Sequence, residues 1–318
     1  MRCRARAPAK VILFGEHWVV HGGRALAAAV GLYSRAYAEP ADDGVVVESV
    51  NLGVREDVLH GCQVFCSLRK AFEYISSARS SGRLWPARLI IDSEIPVGAG
   101  LGSSAAVAVS ASAAYACVAG LEVAPELVSR AAFESEKLVH GNPSGVDNTV
   151  SSYGGFLLYR RGETPMPLDF GGLGDVVVVV IDTGVKRSTA RAVRLFTERL
   201  HRLGGLGREL LEVAEGIIDE ALRALRRGDA AGLGLLMDVA HGLLNAMGVS
   251  HVELEKAVQA ARASGALGAK LTGAGMGGSA IALVEREKAP RVSEKLRELG
   301  LRVYEAALGA RGVSVEHG

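Results

Sequence analysis

The segment Pro96-Val97-Gly98-Ala99-Gly100-Leu101-Gly102-Ser103-Ser104-Ala105-Ala106 constrains this chain more than any other. It follows a β-branched run, Arg88–Ile95, and opens Ser103–Val118, a stretch of helical length rich in Ala and Ser. A strand therefore enters a glycine turn and leaves it as a helix. Glycine lets the backbone turn tightly and approach a ligand, while the free N–H groups and dipole of the helix start make a phosphate cradle. Two familiar versions of such a loop are excluded. There is no Gly-Lys-Ser/Thr, and Ser103 stands where a dinucleotide fingerprint has its third glycine.

Two further segments carry the same kind of chemistry. His140-Gly141-Asn142-Pro143-Ser144-Gly145-Val146-Asp147-Asn148 surrounds one acid, Asp147, with turn formers, directly after a helical stretch, Glu126–Val139, bearing Glu134 and Glu136. Turn chemistry accounts for the Asn-Pro-Ser-Gly run. An acid beside a phosphate loop also suits orienting or deprotonating a substrate hydroxyl. Lys270-Leu271-Thr272-Gly273-Ala274-Gly275-Met276-Gly277-Gly278-Ser279 holds more glycine than a hairpin needs, which points to close approach to a ligand or to another loop.

Around these segments the chain reads as two α+β units. Strands are predicted at Val11–Phe14, Gly44–Val50 and Phe156–Tyr159, with a helix at Val64–Ala78. Pro165, Pro167 and Gly171-Gly172 mark a turn-rich junction. Beyond it lie a buried strand, Val176–Ile181, and three long helical patterns from about Thr189 to Ala263, broken at Gly204-Gly205-Leu206-Gly207 and at Gly228. Strand Ala280–Val284, helix Ala289–Leu299 and strand Arg302–Ala307 close the chain. The expected domains are residues 1–168 and 169–318.

With 318 residues, 49% hydrophobic, 22% charged and a net charge of +1, the chain has globular composition and lacks the basic excess of a nucleic-acid binder. No apolar run reaches the roughly 20 residues of a membrane span. Cys62 and Cys66 have no second pair to complete a zinc site, so Cys3, Cys62, Cys66 and Cys117 are expected as reduced thiols of a cytoplasmic enzyme. Scarce Asn and Gln beside abundant Ala, Arg, Val and Gly suggest a thermophilic source.

Pro8-Ala9-Lys10-Val11-Ile12-Leu13-Phe14-Gly15-Glu16-His17-Trp18-Val19-Val20-His21-Gly22, the loop at Gly100–Ala106 and the loop at Lys270–Ser279 resemble, in order, the three signatures of the GHMP kinases. Gly-Glu-His followed by Val-Val-His-Gly is similar to the mevalonate kinase branch, as are residues 140–148 and Gly248-Val249-Ser250-His251. The resemblance implies an α+β, two-domain GHMP kinase fold, with an N-terminal domain like ribosomal protein S5 domain 2 and a ferredoxin-like C-terminal domain. It implies ATP and (R)-mevalonate as substrates, (R)-5-phosphomevalonate as product, Mg²⁺ as cofactor and a homodimer. The same fold acting on phosphomevalonate, homoserine or a sugar, or serving as a ligand sensor, is the alternative.

By the same resemblance Asp147 and Lys10 are the catalytic pair. Pro96, Gly98, Ala99, Gly100, Leu101, Gly102, Ser103, Ser104 and Ala105, with Ala274, would bind ATP. Glu16, His17 and Thr189 would bind substrate. Ser104 and Glu136 would hold Mg²⁺, Glu136 being chosen over Glu134 because it lies eleven residues before the acid; helical periodicity leaves the two equal. Whether Asp147 acts as general base or positions the hydroxyl stays open. His21, four residues after His17, is expected to be structural rather than half of a zinc pair. Asp182-Thr183-Gly184 looks like half of an aspartic-protease site, but that chemistry needs two such acids and the chain has one triplet.

Overall fold

The computed structural model describes residues 2–78, 83–141, 143–170, 173–186 and 188–317; Asn142, Gly171-Gly172 and Arg187 lie outside them. In chain order the elements are β1 (Cys3–Phe14), β2 (Arg24–Pro40), β3 (Val45–Ser49), β4 (Val54–Asp57), α1 (Cys66–Ser77), β5 (Ala87–Ser93), α2 (Ser103–Val118), α3 (Pro125–His140), α4 (Val146–Tyr153), β6 (Phe156–Arg160), β7 (Met166–Leu168), β8 (Val176–Asp182), α5 (Thr189–Leu203), α6 (Gly205–Arg227), α7 (Ala230–Ala246), α8 (Val252–Ala263), β9 (Gly268–Thr272), β10 (Ser279–Glu285), α9 (Ala289–Glu298), β11 (Arg302–Ala307) and β12 (Ser314–His317).

Two sheets organise them. The first runs β12-β1-β2-β5-β3-β4, with β6 and β7 added beside β2; its pairs are antiparallel except β3 with β5. The second is antiparallel in the order β11-β8-β10-β9. Numbered along the chain that is 4-1-3-2, the strand order of a ferredoxin-like sheet, so the fold is the expected α+β pair. The terminal strand β12 returns to β1 of the first sheet.

The valine run of β8 is buried almost throughout because it sits inside its sheet with helices on the faces. Helix α2 is apolar on every side and buried from Ala105 to Val118 apart from partly exposed Val107, as a helix enclosed by neighbours should be. Its small side chains let β1, β2 and α3 approach it. One core joins the two sheets: Val11, Leu13 and Leu26 of the first meet Val178, Val180, Ile281 and Leu283 of the second, with Ile218 and Met237 between helices. The glycine loops are therefore hung on a shared rigid body.

Three expectations need correction. The region from Thr189 to Ala263 forms four helices, not three, because Met247-Gly248-Val249 ends α7 and turns the chain into α8. The 17-residue strand β2 has no counterpart in the reading above, since its Ala-rich centre lacks β-branched density and is made a strand by burial between neighbours. The cysteines are paired, Cys3 with Cys117 and Cys62 with Cys66. Packing of α2 on β1 brings Cα atoms 114 positions apart in sequence to 6.1 Å, well within bridging range. Sequence spacing carries no trace of that proximity. Closing so long a loop is worth about 4–5 kcal/mol in the chain-entropy picture, more than the short Cys62–Cys66 loop offers. Among the described residues no helix is long and apolar enough to cross a membrane.

Candidate active site

The first strand delivers Lys10 to the phosphate loop. Its backbone N–H donates to the Leu101 carbonyl at 2.9 Å, tying β1 to the loop between β5 and α2. The Lys10 side chain is buried and its Nζ lies 3.1 Å from Asp147 Oδ1. Asp147 stands in the first turn of α4, a third exposed, so one face of this pair is open to a ligand.

Gly102 brings the loop onto the same pair. It has φ +71° and is the last residue before α2; a Cβ there would sit 3.0 Å from Lys10 Cγ and 3.5 Å from Asp147 Oδ2. Only a residue without a side chain lets the helix N-terminus come this close. The helix start therefore faces the lysine–aspartate pair directly, with Ala99 and Leu101 buried as anchors and Gly98 exposed.

On the next helix Glu136 is 6% exposed and accepts a hydrogen bond from Ser104 Oγ at 3.2 Å. Glu134 instead pairs with Lys137 at the surface. Burial, reinforced by the nearby Asp147 charge, pushes the Glu136 carboxyl up to about 7, while Ser104 and Lys10 oppose the rise.

The third glycine loop closes the arrangement from the second sheet. Ser279 Oγ donates to the Ala99 carbonyl at 2.9 Å, joining it to the phosphate loop. Thr272 Oγ1 donates to the Ile12 carbonyl and accepts from the Ile12 N–H. His17 Nε2–H donates to the Ala274 carbonyl at 2.8 Å. Behind the loop, Met276 N–H donates to Val249 O at 2.7 Å, and a Cβ on Gly275 would lie 2.1 Å from that oxygen. This explains Gly248-Val249-Ser250-His251 as the bed on which the loop rests.

His17 carries a positive φ of 62°, costly for a residue with a side chain, and is held there by Ala274 and by stacking on Phe196 at 4.8 Å. Burial holds its imidazole below the usual histidine range, so the ring is neutral, with its proton on Nε2 and Nδ1 a buried acceptor without a partner in the described protein. Glu16 is buried and turned toward Lys270. Thr189 begins α5, exposed, seven residues before Phe196. That spacing places both on one helix face.

The remaining candidates are structural. His21 accepts or donates to Thr197 Oγ1 at 3.1 Å and packs on Phe196 and His201. Asp182 pairs with Arg302 at 2.8 Å and accepts from Gly184 N–H, while Thr183 Oγ1 donates to the Gly278 carbonyl. That triplet supports the glycine loop. Among the described residues one cluster of three metal-type ligands occurs, Cys3, Cys117 and His317, and its two sulfurs are bonded to each other.

Comparison with known proteins gives the family. The GHMP kinase N-terminal domain model matches residues 66–155 and the GHMP kinase C-terminal model residues 221–301. Mevalonate kinase of Aeropyrum pernix is 39% identical over 318 residues, covering 98% of each chain. The chain belongs to the mevalonate kinase family. The Pyrococcus horikoshii member is 37% identical, covering 95% of this chain and 98% of its own. In structure the chain resembles L. major mevalonate kinase in complex with R-mevalonate, with a TM-score of 0.81, 30% identity and 96% and 95% coverage. It also resembles Methanococcus jannaschii mevalonate kinase, with a TM-score of 0.84, 25% identity and 96% and 98% coverage.

As a member of the mevalonate kinase family the chain uses ATP as co-substrate. Sequence reasoning missed Thr272, Ser279 and Val249, which hold the loops in place. The signal for the first two was present, since hydroxyl residues bracket the third glycine run. Val249 acts through its carbonyl, which no side-chain pattern reports.

The oxygen donors of Ser104 and Glu136 next to Asp147 suit a hard divalent cation, and the negative charge concentrated by burial gives such an ion something to offset. The raised Glu136 carboxyl has a consequence for stability of the ligand-free protein. Its folded form binds the proton more tightly than the unfolded chain, so its contribution is fully present below about 4.5 and is lost as pH rises through about 7. The difference in unfolding free energy between the chain and its Glu136→Gln variant, measured by denaturant titration in EDTA from pH 4 to 8, should fall by on the order of 3 kcal/mol. A flat difference would show an unshifted carboxyl.

Proposed function

We propose that the chain transfers the γ-phosphoryl group of ATP to the terminal hydroxyl of (R)-mevalonate, releasing ADP and (R)-5-phosphomevalonate. The reading rests on the Lys10–Asp147 pair, 3.1 Å apart, standing against the glycine turn that starts α2. In this reading residues 1–168 carry the phosphate loop and the acid, and residues 169–318 supply the third glycine loop.

In this reading the loop from Pro96 to Ala105 and the dipole of α2 hold the phosphate tail, and Ala274 joins them in binding ATP. Asp147 orients the acceptor hydroxyl and takes its proton as the new oxygen–phosphorus bond forms. The bond from the γ-phosphorus to the bridging oxygen breaks, and its electrons leave with ADP. Lys10 offsets charge on the moving phosphoryl group. Because the transition state is loose, alignment and charge neutralisation supply most of the acceleration. Ser104 and Glu136 would hold Mg²⁺, which neutralises phosphate charge when bound.

His17 Nδ1, a neutral acceptor, suits a substrate hydroxyl rather than a carboxylate. Thr189, exposed at the start of α5, is the other substrate contact in this reading. Cytoplasmic residence is part of the reading; intracellular proteins of hyperthermophiles carry disulfides, which reconciles it with the two pairs seen. A homodimer is also part of it, and light scattering that returned a monomer mass would remove that element.

The test is ADP release, coupled to NADH oxidation, with mevalonate, phosphomevalonate, homoserine and galactose as acceptors. Turnover with mevalonate at least a hundredfold above the others is expected. Turnover with another acceptor and none with mevalonate would overturn the proposal.

A further inference from the structure

Among the described residues the most deeply buried charges are not the reactive ones. Glu16 and Lys270 have side chains 1% and 0% exposed and pair directly with each other. Lys270 also donates to the Leu271 carbonyl at 2.7 Å. Glu16 follows β1 of the first sheet, and Lys270 lies in β9 of the second, so the pair bridges the two sheets. Glu16 also lines a small cavity whose other walls, among them Trp18, Ile217, Leu243 and Leu244, are apolar.

The pair is one of three contacts between these two segments. Thr272 bonds to Ile12, and His17 to Ala274. Together they fasten the end of β1 to the third glycine loop. The two hydrogen bonds are neutral and tolerate small shifts. The ion pair is shut off from water, where either partner alone would be left as an uncompensated buried charge. It therefore permits little relative movement. Directly beside it His17 holds its positive φ, a conformation that persists only when restrained from several sides.

We propose that the Glu16–Lys270 ion pair locks the Gly-Glu-His turn onto the third glycine loop and so sets the position of the His17 ring. Glu16 and Lys270 are then positioning residues, acting through His17, and Glu16 does not touch substrate. The proposal rests on the kinase reading of the site and revises the direct substrate contact that the family resemblance implies for Glu16. It also accounts for an acid in the first signature and a lysine at the head of the third.

The test uses the full chain with Glu16→Gln, Lys270→Met and the two combined. Each protein is assayed with ATP and mevalonate below its own unfolding temperature, and the His17 imidazole Nε2–H resonance is followed by NMR. Each single variant should lose about 10- to 100-fold in kcat/KM for mevalonate and shift the His17 signal. The combined variant lacks the same pair, so its kcat/KM and its His17 signal should lie near those of the worse single variant. Losses that multiply in the combined variant, or a His17 signal unmoved by Lys270→Met, would overturn the proposal. If a single variant fails to fold, the combined variant decides: a displaced His17 signal supports the lock, and one at its original position overturns it. Absence of any turnover with mevalonate in the unaltered chain would sink the kinase reading, while the His17 signal would still judge the lock.

Discussion

Replacing Asp147 with alanine should lower kcat by about 10²–10⁴-fold, the range in which a positioned acid or base contributes. The side chain is a third exposed and lies in the first turn of α4, so the loss should appear chiefly in turnover, with some cost to folding from leaving the buried Lys10 without its partner. KM for ATP should change little, because the phosphate loop and α2 are untouched. Asp147→Asn separates two mechanisms. Asparagine keeps the shape and can still orient a hydroxyl, but it is no base at neutral pH. A loss equal to that of alanine assigns proton abstraction to Asp147, and a loss below about tenfold assigns positioning. Rapid-quench measurement of the first turnover reads the chemical step free of product release. If Asp147→Ala kept turnover within twofold of the original, the active-site assignment would be wrong.

Gly102→Ala should cost about a hundredfold in kcat, although it adds one methyl group. The residue has φ +71°, and the new Cβ would press on Lys10 Cγ at 3.0 Å and approach Asp147 Oδ2 at 3.5 Å. The side chain would wedge between the helix start and the lysine–aspartate pair. Displacements of about 1 Å between reacting groups cost rate on that scale. Backbone strain at positive φ adds about 1–2 kcal/mol of destabilisation, visible as a lower melting temperature. Gly98 is the control, since it too has positive φ, +80°, but nothing within 4 Å of its ideal Cβ. Gly98→Ala should therefore show the strain without the wedge: a similar loss of stability and a much smaller loss of kcat. Equal kinetic losses at the two positions would place the effect in the loop backbone rather than at the pair.

Much of this molecule was legible before any coordinates. Helix α2 has the predicted limits, Ser103–Val118, and β11 the predicted Arg302–Ala307, because composition and turn residues act locally. The glycine runs at 98–102 and 273–278 could be singled out by their excess of glycine, the segment around Asp147 by its turn formers, and family resemblance put them in one site. The limits appear where a side chain's fate depends on residues far away. Glu134 and Glu136 flank the same apolar stripe of α3, and only the neighbours of that helix turn one toward Ser104 and the other toward Lys137 at the surface. Strand β2 is invisible to β-propensity because its alanines become strand by burial between β1, β5 and β6.

The sequence by itself determined the two α+β units, the strand–glycine–helix cradle and the family, all of which rest on short-range rules of backbone freedom and hydrophobic spacing. Tertiary structure alone decided that Cys3 bonds Cys117 and that Glu16 is buried against Lys270 rather than open in the cleft. Those pairings join residues more than a hundred positions apart. Local preference carries no information about such distances; they follow from how two sheets share one core.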